Sequence, residues 1–116
     1  MDDRRLRVVF FMTDSGTEPV RDWLKSLGND DRKIIGEDIK TVQFGWPLGM
    51  PLVRKMETDL WEVRVQLPYR IARVLFTAQD RTMILLHGFI KKSQKTPAAD
   101  LNVARKRLAQ FKGHRQ

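Results

Sequence analysis

LWEVRVQLPYRIARVLFTAQDRTMILLHGFIKKSQKTP, Leu60–Pro97, is the stretch that decides the fold. Within Leu60–Gln66, Trp61, Val63 and Val65 alternate with Glu62, Arg64 and Gln66, the period-two pattern of a half-buried strand. A second strand is predicted over Tyr69–Thr77 and a third over Thr82–Ile90, with Leu67-Pro68 and Ala78–Arg81 as the turns. Connections this short join only antiparallel neighbours, so the three form a meander. One face of that sheet needs an apolar cover. The other collects Arg, Glu and Lys side chains that a purely structural sheet has no need of.

Upstream, the near-continuous apolar run Leu6–Met12 predicts a strand covered on both faces. Thr13–Gly16 is a turn, and Thr17 is the expected N-cap of a helix with Glu18 and Pro19 in its first turn. Val20, Trp23, Leu24 and Leu27 mark one face of that helix, and Gly28 stops it. Asn29 or Asp30 caps a second helix, Asp31–Phe44, with its stripe at Ile35, Ile39 and Val42. These two helices make a hairpin suited to covering the apolar face of the sheet. Trp46–Val53, with two prolines and a glycine, reads as a loop in which Trp46 plugs the core beside Leu48, Met50 and Leu52. Arg54-Lys55 lead toward the meander, and Glu57–Asp59 form the turn before it. Downstream, Lys91–Lys95 is a basic loop, Thr96 an expected N-cap and Pro97 the first position of a last helix. That helix carries the stripe Leu101, Ala104, Leu108 and Phe111, with Arg105, Lys106 and Arg107 away from it, and the tail from Gly113 frays. The order is β-α-α-β-β-β-α, an α+β domain spanning residues 1–116.

At 116 residues, with 41% hydrophobic and 31% charged, the composition is that of a globular fold. Lys and Arg number 22 against 14 Asp and Glu, a net charge of +8. So basic a small domain usually meets a polyanion such as RNA, DNA, a membrane surface or an acidic protein. General solubility is the plainer explanation of the same charge. There is no cysteine, hence no disulfide, thiolate metal site or cysteine nucleophile. The N-terminal apolar run is too short and too charged for a signal peptide, and no span reaches transmembrane length, so a cytoplasmic protein is expected.

His87 and His114 are the only histidines, and no His/Cys/carboxylate cluster has metal-ligand spacing, so no metal or cofactor is expected. His87 alternates with Leu85 and Phe89 and is expected at the edge of the core. What remains is basic side chains on adjacent strands. Glu62, Arg64 and Gln66 share a face, while Arg70 and Arg73, an odd number apart, point to opposite faces. Arg70, close after the tight turn, is expected beside Arg64, with Arg73 turned toward a helix end or the rim. Lys91, Lys92 and Lys95 overhang the same surface from the end of the third strand. A solvated face with cross-strand ion pairs explains this pattern as well as a phosphodiester site does. At such a site, the ribose 2′-OH of RNA would attack the adjacent phosphate, with arginines stabilising the anionic transition state. Glu62 or a lysine of lowered pKa would serve as the base.

The combination LWE-x-R, YR and HGF-x-KK-x-x-KTP, with the earlier DSGTEPVRDWLKSL, resembles the RelE/ParE superfamily of bacterial toxins over most of Phe10–Leu108. It is most similar to the phage-related HigB-like branch. The resemblance implies a twisted antiparallel sheet with an N-terminal helical hairpin and a C-terminal helix. It also implies the toxin of a type II toxin–antitoxin pair, a metal-independent, ribosome-dependent mRNA endoribonuclease. Its partners would be mRNA, the ribosome and a helix-turn-helix antitoxin, with DNA met only through that antitoxin and no membrane. By the same resemblance Arg64 orients phosphate, Arg70 stabilises the transition state, and Lys91 and Lys92 neutralise charge or assist acid–base steps. Glu62 stands where a basic residue is common in the family. Arg54, Lys55, Arg73 and Lys95 are the further expected RNA or ribosome contacts. Two other classes remain open, a ParE-like gyrase inhibitor that cuts nothing and a basic binding module without activity.

Overall fold

The structure is a computed structural model that describes residues 5–92 and 95–114. Its elements are β1 (Arg7–Phe10), α1 (Pro19–Lys25), α2 (Asn29–Gly45), β2 (Val53–Glu57), β3 (Leu60–Gln66), β4 (Ile71–Gln79), β5 (Thr82–Lys91) and α3 (Ala98–Gly113). Ser93 and Gln94 of the basic loop and the last two residues of the tail lie outside the described residues.

The α+β order holds, with one strand more than the sequence pattern gave. Val53–Glu57 pairs antiparallel with β3 through Val53↔Val63, Arg54↔Glu62 and Lys55↔Trp61. The segment Arg54–Glu57 is therefore strand, and only Thr58-Asp59 turn the chain, with Asp59 at φ 61°. Four exposed or half-exposed residues with one apolar anchor gave no alternation to read. The sheet order is β1-β5-β4-β3-β2. Strands β2 to β5 are antiparallel neighbours, whereas β1 lies parallel to β5 at one edge, because the helical hairpin supplies the crossover a parallel pair requires. Between β4 and β5 the turn shrinks to Asp80-Arg81, at φ 51° and 63°. Positive φ at both central residues is the primed geometry that matches strand twist.

Both faces of the sheet are covered. Val63, Val65, Ala72, Val74, Phe76 and Met83 face the hairpin, which contributes Val20, Ile35, Ile39 and Val42. Trp46 packs there edge-on against Trp61 and Phe76, with centroids 5.0 and 5.5 Å apart. Leu60, Leu75, Ile84, Leu86 and Phe89 face α3, which contributes Ala104 and Leu108. Alternate residues of β1 enter the two clusters, Val8 and Phe10 one and Val9 and Phe11 the other, as its unbroken apolar run requires.

The helix starts differ from the sequence reading by one or two positions. Glu18 rather than Thr17 precedes α1, since the Thr17 hydroxyl is taken up by Thr13 Oγ1 at 2.6 Å. Gly28 rather than Asn29 or Asp30 precedes α2. Pro97 rather than Thr96 precedes α3, because the Thr96 hydroxyl is engaged elsewhere. Arg107 is not on a solvent face: its Nη1 donates to the Leu86 carbonyl at 2.8 Å and approaches His87 Nδ1 at 3.4 Å. His87 sits at the core edge, 2.6 Å from Asp100 Oδ1 through Nε2 and stacked on Phe89. Together these contacts pin α3 across β5. No helix of the described residues is long and apolar enough to cross a membrane.

Candidate functional site

Strand alternation brings Arg54, then Glu62, Arg64 and Gln66, then Ile71 and Arg73, and finally Lys91 to the α3 side of the sheet. The apolar part of α3 covers this face only at the Leu60, Leu75 and Leu86 end. The basic end stays open. There Arg64 and Arg73 are direct cross-strand partners, and Ile71 stands opposite Lys91. It is thus Arg73, and not Arg70, that shares the face of Arg64. Arg70 lies in the β3–β4 turn, closed by Leu67 N–H to the Arg70 carbonyl at 2.9 Å, and its Nη2 donates to Asp31 at the start of α2 at 2.7 Å. The sequence reading counted Arg70 as strand; once it is turn, pleat parity no longer governs its direction.

Like charges directly opposite on a sheet destabilise it. The protein neutralises one of the pair. Glu62, 1% exposed, lies 3.2 Å through Oε1 from the Nε of Arg73, itself 3% exposed, and its Oε2 accepts a hydrogen bond from Thr96 Oγ1 at 2.5 Å. The Glu62–Arg73 contact is an ion pair without hydrogen-bond alignment, and among the described residues Arg73 Nε has no hydrogen-bond partner. Glu62 is thereby buried beneath the open surface with both oxygens occupied, and it ties the end of the basic loop to the sheet. A carboxylate so held is placed to fix Arg73, not to reach a substrate.

Among the described residues Arg64 has no such partner: its Nε is buried without a hydrogen bond, and its Nη1 meets the Met50 sulfur at 3.5 Å. Lys91 feels the crowding. Burial, and after it the positive charge of Arg73, hold its pKa below the ordinary lysine value, against a smaller opposing pull from Glu62. Burial likewise lowers Arg73, with Glu62 opposing and Arg64 and Arg54 adding to the depression.

These groups surround an open concavity of about 670 Å³, lined by Arg64, Arg70, Arg73, Lys91, Lys92 and Tyr69 among others. Tyr69, at the tip of the β3–β4 turn, is 99% exposed. The pattern of charges singled out neither this ring nor Asp38, which lines an adjoining hollow. Of the other expected contacts, Arg54 sits on the same face beside Glu62, Lys95 is exposed just before α3, and Lys55 points to the opposite face with Trp61. Among the described residues no group of three or more His, Cys, Asp or Glu comes together as a metal site would need.

No curated protein matches the chain. The family model for Phage derived protein Gp49-like (DUF891) matches residues 22–109, from the body of α1 to the last turns of α3, and includes every strand of the basic face. The chain therefore belongs to the Gp49-like family of phage-derived proteins.

Proposed function

We propose that this protein is a toxin of a type II toxin–antitoxin system, of the HigB-like branch, that cleaves mRNA on the ribosome in the cytoplasm. Membership of the Gp49-like family, which is related to the RelE and HigB toxins, supports a toxin-like role. The observation that carries the chemistry is the arginine pair. Arg64 and Arg73 face each other across β3 and β4, and among the described residues only Arg73 is neutralised, while Arg64 keeps a buried Nε without a partner. A phosphodiester oxygen supplies what this arrangement lacks, an anion and a hydrogen-bond acceptor together.

Arg64 orients the scissile phosphate and supplies the uncompensated positive charge, Arg73, held by Glu62, floors the site, and Arg70 acts at the rim from its clamp on Asp31. Lys91, whose neutral form is favoured by burial, removes the 2′-OH proton. The 2′-oxygen attacks phosphorus, the bond to the 5′-oxygen breaks, and protonated Lys92 delivers a proton to that leaving oxygen. The products are a 2′,3′-cyclic phosphate and a 5′-hydroxyl. Tyr69 offers an exposed ring for a base to stack on, an interaction of about 1–3 kcal/mol. The open site leaves substrate positioning to the ribosome, and a small antitoxin, of helix-turn-helix type, neutralises the toxin.

The test is the integrity of a defined message in cell-free translation, with the same transcript untranslated as control. Cleavage of the translated message alone, abolished in Arg64→Ala, supports the reading. An intact message accompanied by loss of gyrase supercoiling activity replaces it with the ParE-like one.

A further inference from the structure

Next to the arginine concavity, and meeting it along Arg64, Gln66, Ile71 and Arg73, lies a second open hollow of about 530 Å³. Its far wall is the outward face of α2, where Ile34 and Asp38 stand one turn apart, and the Pro51-Leu52 end of the loop before β2 closes it. This is a different environment from the phosphate site. Five of its nine lining residues are apolar, beside the two shared arginines and a single carboxylate, and the Gln66 amide stands at the mouth with its Nε2 already committed to the Leu67 carbonyl at 3.1 Å, which leaves its oxygen as an acceptor.

Asp38 is the unusual member. Asp31, two turns earlier on the same helix, is consumed by Arg70, and Glu62 is consumed by Arg73. Asp38 has no hydrogen-bond or ion-pair partner among the described residues, although it lines a hollow that Arg64 and Arg73 also line. It is partly desolvated, and burial followed by the neighbouring charge of Glu37 raises its pKa. A half-buried, unpaired acceptor between apolar walls fits a flat ligand with apolar faces and N–H donors on one edge.

Resting on the ribonuclease reading above, we infer that this hollow is a nucleobase subsite beside the scissile phosphate, in which Asp38 accepts from the Watson–Crick edge of guanine. Guanine is the base that presents two parallel N–H donors, from its ring N1 and its exocyclic amino group, to a carboxylate's two oxygens. Adenine and cytosine offer an amino group with a ring acceptor beside it, which a carboxylate repels, and uracil offers one N–H between two carbonyls. Ile34, Leu52 and Ile71 take the faces of the ring, and Gln66 Oε1 is a further acceptor at the mouth. The subsite and the phosphate site share Arg64, so the base read is that of a nucleotide adjoining the cut.

The experiment maps 5′ ends of fragments from a message with all four bases sampled at every codon position, in cell-free translation. Wild type is compared with Asp38→Asn and Asp38→Ala, each first shown to melt as wild type does. The ratio of cuts beside guanine to cuts beside adenine is expected to exceed one in wild type and to fall about tenfold or more in both variants, the size of a lost bidentate base contact. An unchanged ratio in the variants, with cutting retained, overturns the subsite and leaves the ribonuclease reading standing. A wild-type ratio of one or less does the same. No cutting by wild type overturns both.

Discussion

Arg64 and Arg73 are the same residue type on facing positions, yet removing them has opposite expected effects. Arg73→Ala strands Glu62 as a buried, uncompensated carboxylate and is expected to cost about 3–5 kcal/mol. Arg64→Ala removes a charge that repels its neighbour, so stability should stay within about 0.5 kcal/mol of wild type, or rise, while message cleavage is lost. Urea unfolding of the two variants separates them; an Arg64 variant as unstable as the Arg73 one would make Arg64 structural. Lys91 supplies a pH test. A general base works as the neutral amine, whose fraction grows as pH rises through its pKa. Since the Lys91 pKa is depressed by burial and by Arg73, the rate should climb with pH at lower values than an ordinary lysine allows. Lys91→Arg, unable to deprotonate, should lose that rise in a pH–rate profile measured at constant salt. At this scale the sequence disclosed which residue types matter but misassigned their partners. The shared face of Glu62 and Arg64 was legible from period two alone, whereas Lys91 read as the start of the loop after the third strand and is its last residue. The exchange of Arg70 for Arg73 was not, because it hangs on whether two residues belong to the turn or the strand.

Among the elements, α1 is held to the sheet by a contact that only glycine permits. A Cβ on Gly88 would lie 2.3 Å from the Trp23 indole, so the ring rests directly on the β5 backbone. Gly88→Ala must push Trp23 off the sheet and is expected to cost about 1–3 kcal/mol. In Trp23→Ala the same glycine change should cost much less, because the obstacle is gone; a double-mutant cycle by thermal unfolding measures this, and additive losses would refute the contact. Helices were the most legible elements, since Val20, Ile35, Ile39, Val42, Ala104 and Leu108 fall at helical spacing and are all buried. Their starts were not, because the hydroxyls that looked like caps found other partners, Thr17 with Thr13 and Thr96 with Glu62. β2 escaped notice because an edge strand with one buried residue leaves no pattern; its identity comes from its pairing with β3. Gly88 itself carried no reading, as its reason lies 65 positions away in sequence.

Across the whole molecule, the excess of positive charge is organised by the sheet. The strand ends gather Arg64, Arg73, Lys91 and Lys92 at one open concavity, while other charges are spent on structure: Arg105 on Glu57 and Lys112 on Asp59, each at 2.6 Å, fasten α3 to the β2–β3 turn. Affinity for a short single-stranded RNA should therefore fall steeply with salt, by a slope of about 0.7 per phosphate engaged, and Arg64→Ala should lower that slope by about one phosphate. Anisotropy titrations over a salt series read this directly, and an unchanged slope would place the phosphates elsewhere. The central claim is that the arginine–lysine concavity makes RNA cut itself through its own 2′-OH. The measurement that meets it head-on is the chemistry of the ends left on message cleaved during translation. Fragments carrying 5′-hydroxyl and 2′,3′-cyclic phosphate ends are expected with the wild-type protein, and no fragments with Arg64→Ala. Fragments with 5′-phosphate ends would mean that water, not the ribose, attacks, and would contradict the role given to Lys91 and to the site around it.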